Sequence, residues 1–210
     1  MRIGVLALQG AFREHVYALE ALDVRAVPVR LPSQLDECAG LIIPGGESTA
    51  ISKLMESYGF YEPIAARHAK GMAIWGTCAG AILIAKHISE GIEGQRGLEL
   101  MDIEVRRNAY GRQTESFEAD LGFSHIGEAY RGVFIRAPWI ESVSEGVEVL
   151  ASHEGHIVAA RQGGLLATTF HPELTGDPAS IATLCRPSWG ITTASRLAGR
   201  MFVARPRRQA

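Results

Sequence analysis

One cysteine stands in a pentapeptide whose residue types suit a nucleophile. Gly76-Thr77-Cys78-Ala79-Gly80 follows the apolar run Met72–Trp75 and precedes a helical pattern. Small flanking residues permit the sharp strand-to-helix turn on which a nucleophile can sit, and a nearby helix N-terminus favours a thiolate. The Ala79 N–H would then point at a developing oxyanion. The pattern predicts a catalytic Cys78, with a buried cysteine in a glycine-rich turn as the alternative.

A histidine and a glutamate directly follow the apolar run Leu165–Phe170. A cysteine nucleophile needs a base that accepts the thiol proton and later returns it to the leaving amine, and His171 could do this. Glu173 could orient the imidazole and stabilise the imidazolium, while Pro172 stiffens the link between them. Alone, this segment is more typical of a loop histidine beside a solvated glutamate. With Cys78 it completes a set of nucleophile, base and acid.

A glycine pair follows a third apolar run, Leu41–Ile43, in the segment Pro44-Gly45-Gly46-Glu47-Ser48. Consecutive glycines allow a backbone N–H to turn into a cleft, as a second oxyanion donor requires. The segment would lie at the carboxyl edge of a parallel sheet, where such sheets bind ligands. A plain turn that starts a helix, with Ser48 as its N-cap, is the alternative, and both interpretations can hold together.

Composition argues against several other classes of protein. The chain of 210 residues has 21 basic and 23 acidic side chains, so no bulk basic surface for nucleic acid is expected. The uncharged run Gly71–Ala85 is shorter than the ~20 residues of a membrane-spanning helix. Cys38, Cys78 and Cys185 are too few for a disulfide scaffold and favour a reducing compartment such as the cytoplasm. None has metal-ligand spacing with histidines, so we expect no metal site.

Apolar runs alternate with helical patterns in the first half, which predicts a parallel sheet covered by helices on both faces. The strands predicted there are Ile3–Leu8, Val24–Val29, Leu41–Ile43 and Met72–Trp75, and the helices are Ala11–Leu22, Thr49–Ser57, Glu62–Ala69 and Ala79–His87. The helical histidines His15, His68 and His87 are interpreted as structural.

The second half is richer in strand patterns. The strands predicted there are Leu98–Val105, Ser116–Ala119, Val133–Arg136, Glu148–Ser152, Ile157–Arg161 and Leu165–Phe170, with a hairpin turn at His153–His156. We therefore expect one α/β domain over residues 1–203, with a mostly parallel sheet and additional antiparallel strands. Residues 204–210 are predicted to form a frayed basic tail.

Taken together, these motifs resemble the class I glutamine amidotransferases, triad glutaminases with a flavodoxin-like three-layer fold. Within that family the chain is similar to the glutaminase subunits of pyridoxal 5′-phosphate synthases. The resemblance runs from Met1 to about Asp177. The segments that carry it are Leu8–Ala11, Arg13–His15, Pro44–Thr49, Gly76–Gly80, Arg107-Asn108, Tyr110–Gln113, Ser116–Asp120, Gly132–Pro138 and His171–Thr175.

The resemblance implies a role for individual residues. Cys78 is implied as the nucleophile, with His171 and Glu173 completing the triad. The residues implied to bind glutamine or its oxyanion are Gly46, Glu47, Ser48, Ala79, Arg107, Ile135 and Arg136. Gln9 matches a residue near the active site, on the face toward a synthase partner. From the residues alone, Arg107 would be a surface salt bridge and Gln9 part of a plain turn.

The implied function is hydrolysis of L-glutamine to L-glutamate and ammonia, with transfer of the ammonia to a synthase subunit that makes pyridoxal 5′-phosphate. No cofactor is implied in this chain. A stand-alone cysteine hydrolase and a catalytically silent interaction module remain alternatives, the latter disfavoured by the intact triad. The C-terminus departs from the family pattern, because Pro187 and Gly190 should interrupt the closing helix before Ile191–Val203 resumes it.

Overall fold

The computed structural model describes residues 1–92, 94–107, 109, 116–123, 126–178 and 181–184. Its strands are β1 (Arg2–Leu6), β2 (Arg25–Val29), β3 (Gly40–Ile43), β4 (Ala73–Thr77), β5 (Ala85–Ser89), β6 (Met101–Arg106), β7 (Phe117–Phe123), β8 (Ile126–Phe134), β9 (Trp139–Val143), β10 (Glu148–His153), β11 (His156–Gln162) and β12 (Leu165–Thr168). Its helices are α1 (Phe12–Glu20), α2 (Ser48–Ser57), α3 (Tyr61–Ala69) and α4 (Ala79–Ile84), with 3₁₀ turns at Pro32–Glu37 and Pro172–Leu174.

Parallel strands form the half of the sheet that carries the predicted motifs. They lie in the order β2-β1-β3-β4-β12, which is the flavodoxin-like order. The segments that contain Gln9, Gly45, Cys78 and His171 follow β1, β3, β4 and β12, so they emerge at one carboxyl edge. The predicted flavodoxin-like α/β fold is confirmed.

Alternate residues of the central strands face two separate cores. Leu41 and Ile43 of β3 pack in one core with residues of α2, α3 and α4. Ile42, between them, packs in the other core. That core also contains Leu19 of α1, aromatic residues of β8, and Phe170, which follows β12. Because the pleat sends successive side chains to opposite faces, the sheet is buried on both sides. This produces the expected three layers.

Antiparallel pairing of β11, β9 and β6 extends the sheet beyond β12, and β5 adds to its edge in parallel with β6. The order continues β12-β11-β9-β6-β5, β10 pairs with β11, and β7 and β8 form a separate pair. His153 and His156 pair across a two-residue turn in which Glu154 and Gly155 have φ of 48° and 82°. Two positive φ values are typical of the tight hairpin turns that match strand twist. The hairpin predicted there is confirmed.

The structure differs from the predicted elements at β5 and at β9. The helix predicted over Ala79–His87 ends at Ile84, and Ala85–Ser89 is β5, which pairs in parallel with β6. Strand β9 was not predicted, although it lies between β6 and β11. In both cases the pairing strand is distant in sequence, so tertiary hydrogen bonding overrides the local pattern.

The C-terminal expectations fall largely beyond the described residues. Residues 181–184 are helical, and Ile181 and Leu184 are buried in the core that contains α1. The predicted interruption at Pro187 and Gly190, the helix at Ile191–Val203 and the basic tail lie outside the described part of the chain. Among the described residues, none of the helices combines the length and apolar character needed to cross a membrane.

Candidate active site

Cys78 occupies the turn between β4 and α4. Its backbone has φ 48° and ψ −105°, a conformation that residues other than glycine rarely adopt. Such strain costs on the order of 1–3 kcal/mol and persists only where the surroundings enforce it. Here a Cβ on Gly80 would lie 1.9 Å from the Ile43 carbonyl oxygen, so only glycine allows α4 to approach β3 this closely. The sharp turn predicted from the pentapeptide is confirmed.

His171 and Glu173 directly follow β12, the strand beside β4. The His171 N–H donates to the Val133 carbonyl at 2.8 Å, and Pro172 begins the 3₁₀ turn that carries Glu173. This turn places His171 Nδ1 2.7 Å from Glu173 Oε1. The side chains are 8% and 0% exposed, so the pair is shielded from solvent. The solvated glutamate of the alternative interpretation is therefore excluded.

Electrostatics favour a protonated His171 beside an ionised Glu173. Burial lowers the pKa of His171, but hydrogen bonds to Cys78 and Glu173 outweigh burial and raise the pKa to about 10. Burial likewise opposes ionisation of Glu173, yet contact with the His15 N–H dipole and the hydrogen bond and positive charge of His171 outweigh it and hold the pKa of this carboxyl below its ordinary value. The imidazolium thus lies between a sulfur and a carboxylate, as nucleophilic cysteine chemistry requires.

The glycine turn after β3 covers this pair closely. A Cβ on Gly45 would lie 2.4 Å from His171 Cε1 and 3.2 Å from Cys78 Cβ. The Gly45 N–H donates to Thr77 Oγ1 at 3.1 Å, and the Gly45 carbonyl accepts from the Ala11 N–H at 2.9 Å. Because the C=O and N–H of a trans peptide point in opposite directions, the Gly46 N–H points away from Ala11.

A cleft of about 250 Å³ opens beside Cys78. Predicted site residues that line it are Gln9, Gly46, Glu47, Ser48, Cys78, Ala79, Arg107, Ile135, Arg136 and His171. The side chains of Ile82 and Pro138, which were not predicted, also contribute to the lining. Glu173 does not line the cleft, since it lies behind His171. The cleft therefore gathers residues from segments that are far apart in the chain.

Arg107 and Glu47 form the charged part of this cleft. Arg107 Nη2 lies 3.5 Å from Glu47 Oε1, and the two side chains are 9% and 48% exposed. Arg107 is thus a buried cation in a cleft, unlike the surface salt bridge suggested by its residue type. Glu47 also accepts from the Thr49 and Ala50 N–H groups at 3.2 and 2.7 Å. The alternative in which Ser48 caps α2 is wrong, because Glu47 is the N-cap and its carboxylate accepts from two backbone N–H groups.

The side chain of Gln9 contacts the glycine turn. Its Oε1 accepts from the Glu47 N–H at 2.9 Å. The same oxygen lies 2.5 Å from where a Cβ on Gly46 would be, so the turn passes close to this side chain. Gln9 therefore contributes both to the cleft lining and to the conformation of the turn.

His15 and Thr77 belong to the site but were not predicted as site residues. His15 Nε2 lies 3.2 Å from Thr77 Oγ1 and 3.3 Å from Glu173 Oε2. One signal was available in the sequence. His15 precedes Leu19 and Leu22 by four and seven residues, so it shares the apolar face of the predicted helix. Among the described residues, no group of three or more His, Cys, Asp or Glu side chains is arranged to hold a metal ion.

Residues 5–185 match the model of the SNO glutamine amidotransferase family. The chain belongs to this family. Pyridoxal 5′-phosphate synthase subunit PdxT of Herpetosiphon aurantiacus is 61% identical over 180 residues, which are 84% of this chain and 95% of that protein. The protein of the same name from Streptomyces coelicolor is 57% identical over 176 residues, which are 83% and 87% of the two chains. The resemblance seen in the sequence is confirmed.

A solved structure described as a glutamine amidotransferase has the same fold. It superposes with a TM-score of 0.83 at 47% identity, and the match covers 89% of this chain and 98% of that chain. The structure of PurLQS from Thermotoga maritima matches with a TM-score of 0.66 at 16% identity. This second likeness shows only the fold.

Proposed function

We propose that this amidotransferase hydrolyses L-glutamine to L-glutamate and ammonia through a Cys78-His171-Glu173 triad, and delivers the ammonia to the synthase subunit of a pyridoxal 5′-phosphate synthase. The observation that carries the proposal is the buried His171–Glu173 pair, 2.7 Å apart, beside the strained Cys78 turn. The family supports the reaction class, and the names of the relatives support the product.

The proposed reaction begins with attack of the Cys78 sulfur on the side-chain amide carbon of glutamine. His171 then donates its proton to the departing nitrogen, so ammonia leaves and a thioester remains. Water attacks the thioester after giving a proton to His171, and glutamate is released. Glu173 holds the Nδ1 side of the ring throughout, which keeps Nε2 available for these transfers.

Glutamine has a carboxylate and an ammonium group at one end, and both charged groups find complements in the cleft. Arg107 is the buried cation suited to the carboxylate, and Glu47 is the half-exposed anion suited to the ammonium. Gly46, Ser48, Ile135 and Arg136 complete the walls on either side. In this arrangement the amide end of the ligand reaches Cys78.

Two backbone N–H groups are suited to the oxyanion. The Ala79 N–H is in the first turn of α4, where helical N–H groups lack partners within the helix. The Gly46 N–H points away from Ala11 because the Gly45 carbonyl is held by it. Removing one such donor typically costs about 10²–10³ in rate, so both positions matter to the proposal.

The partner in this proposal is the synthase, which would use the ammonia, and no cofactor is assigned to this chain. Gln9 lies on the cleft rim and touches the glycine turn, so partner contact there would reach the site directly.

The test is glutamate release from glutamine by the full-length chain, with and without the synthase subunit, followed by assay of pyridoxal 5′-phosphate. Glutamate release together with glutamine-dependent vitamin formation supports the proposal. A rate that the synthase does not change, without vitamin formation, would favour a stand-alone hydrolase. Absence of hydrolysis in both mixtures would favour a silent interaction module. A Cys78→Ala protein is the control for contaminating glutaminase.

A further inference from the structure

His15 is a buried histidine that the triad mechanism does not use. It lies on α1 with 0% exposure, and its ring meets Trp75 edge-on at 5.9 Å between centroids. Its Nε2 hydrogen bonds to Thr77 Oγ1 at 3.2 Å and lies 3.3 Å from Glu173 Oε2. One ring nitrogen therefore faces both the acid of the triad and the residue before the nucleophile.

The charge states of these groups decide what His15 can offer. Complete burial lowers the pKa of His15, and contact with Glu173 offsets only part of that effect, so the ring is neutral near pH 7. Glu173 is ionised and can only accept hydrogen bonds. Because Nε2 faces this carboxylate, we assign the single ring proton to Nε2. That N–H donates to the Thr77 hydroxyl oxygen. Glu173 Oε2 has no hydrogen-bond partner among the described residues and lies 3.3 Å from Nε2, as an electrostatic contact.

Thr77 extends the contact to the glycine turn. Its hydroxyl oxygen has two lone pairs, of which one accepts the Gly45 N–H at 3.1 Å. The other is available to His15. Gly45 in turn lies against both His171 and Cys78. A chain of direct contacts thus runs from Glu173 through His15 and Thr77 to the turn that covers the nucleophile.

We propose that neutral His15 is a positioning residue, whose Nε2–H donates to the Thr77 hydroxyl and attracts the second carboxylate oxygen of Glu173 at 3.3 Å, and so fixes the triad acid and the glycine turn relative to each other. The inference rests on the proposed function. His171 hydrogen bonds to Oε1 of Glu173 at 2.7 Å, and His15 is in electrostatic contact with Oε2 at 3.3 Å. The attraction at Oε2 therefore opposes rotation of the carboxylate away from His171.

Packing alone does not account for a histidine at this position. The ring is fully buried, and its Nδ1 has no hydrogen-bond partner among the described residues. Burying a polar group without a partner costs roughly 1–3 kcal/mol, so an apolar side chain would fill the same space more favourably. The interaction at Nε2 is what a leucine could not replace.

The first experiment measures kcat and KM for glutamine hydrolysis by the full-length chain with the synthase subunit. His15→Leu should lower kcat by roughly 10- to 100-fold with little change in KM, by analogy with the loss of outer-shell partners that orient metal-binding histidines. His68→Leu is the matched control, because His68 is a half-buried helical histidine remote from the site. An unchanged kcat in His15→Leu overturns the proposal.

Conservative variants separate positioning from packing. The side-chain amide nitrogen of His15→Gln can reach the Nε2 position, whereas that of His15→Asn ends near Nδ1. Both variants bury one side-chain amide at residue 15, so both impose a similar burial cost. We expect Gln to restore most of the lost kcat and Asn not to restore it. Equal activity of the two variants overturns the proposal, and this comparison remains decisive if His15→Leu does not fold.

A double-mutant cycle with Glu173→Gln tests whether His15 acts through the triad acid. If it does, His15→Leu should cost much less in the Glu173→Gln background than in the wild-type protein. An equal cost in both backgrounds would mean a general structural role and overturn the proposal. The same cycle is read from the rate of Cys78 alkylation by iodoacetamide. That reading requires no glutamine turnover, so failure of the proposed function is distinguished from failure of this inference.

Discussion

Glu173 and Glu47 are two carboxylates of the candidate active site, one behind His171 and one in the cleft, and their surroundings differ sharply. Glu173 has no exposed side-chain surface and lies between the rings of His171 and His15. Glu47 is 48% exposed, caps α2 through backbone N–H groups, and faces Arg107 at 3.5 Å. The pKa of each carboxyl is lowered despite the burial that opposes it.

The difference separates a fixed carboxylate from an adaptable one. A buried ion that loses its partner is left uncompensated in a low-dielectric interior, so Glu173 has one energetically acceptable geometry. Glu47 can exchange contacts with Arg107 for contacts with a ligand or with water at little cost. We therefore expect changes on the buried side to reduce kcat, and changes on the cleft side to act on ligand affinity or on local stability.

The largest expected effect belongs to the nucleophile. Cys78→Ala should lower kcat for glutamine hydrolysis by about 10⁴–10⁶, because no other group can form the thioester. Cys38→Ala is the matched control, since Cys38 is a buried core residue and burial raises the pKa of its thiol. Steady-state glutamate release checks both. Near-normal glutamate release by Cys78→Ala would mean that Cys78 is not the nucleophile. The distinction between a catalytic buried side and a ligand-binding cleft side would then lose its basis.

Removing the buried charge should have the next largest effect. Glu173→Gln keeps the shape but takes the charge from beside His171, so we expect kcat to fall roughly 10³- to 10⁴-fold with KM nearly unchanged. The comparison with Glu47 breaks down if Glu173→Gln instead raises KM and leaves kcat intact. Thermal unfolding of the same variant, measured without glutamine, shows whether the fold is retained.

Much of this arrangement was predictable from the sequence. Cys78, His171 and the glycine pair each follow an apolar run, and parallel strands bring such ends to one edge of a sheet. The family resemblance correctly anticipated the fold and the residues that meet at the cleft, although their roles remain proposals. Local patterns were sufficient to place these motifs, because each one lies in the turn that directly follows its own predicted strand.

The remainder depended on contacts between distant segments. The sequence identifies His15 only as a residue of a predicted helix. Its contact with Glu173, which is 158 positions further along the chain, exists only because α1 packs beside that residue in the fold. Strand β5 exists because β6 pairs with it, and nothing within Ala85–Ser89 itself ends the helix. The choice of Glu47 over Ser48 as cap depends on the direction in which the chain leaves β3. Such features are properties of packing rather than of local pattern.

On the cleft side, two adjacent arginines provide a sharp test. Arg107→Met should raise KM for glutamine by roughly 10- to 100-fold with kcat retained, because a hydrogen bond to a charged group contributes about 1.5–3 kcal/mol. Arg106→Met is the matched control, since Arg106 points to Glu90 and Glu141 on the protein surface. If Arg106→Met raises KM as much as Arg107→Met, glutamine affinity does not depend specifically on the arginine in the cleft. The proposal that this cleft binds glutamine would then fail.

The smallest expected effect concerns the stability of α2. Glu47→Gln leaves a single oxygen for the two N–H groups of Thr49 and Ala50, so without glutamine the free energy of unfolding at pH 7 should fall by about 0.5–1 kcal/mol.

Partial burial opposes ionisation of Glu47, but hydrogen bonds from these residues outweigh it and lower the pKa of the carboxyl. A pKa that is lower in the folded state contributes stability above the unfolded value of about 4.3 and loses it as the pH falls through the folded value. The difference in unfolding free energy between wild type and Glu47→Gln should therefore narrow below about pH 4.

Urea unfolding at pH 7 and at lower pH measures this difference. Glu56→Gln, near the C-terminal end of the same helix, is the control that should not destabilise the protein. A gap that stays constant on acidification would mean that the charge of Glu47 does not stabilise the helix. Glu47 would then stabilise α2 through hydrogen bonds that do not depend on its charge, and its contrast with Glu173 would be larger than proposed.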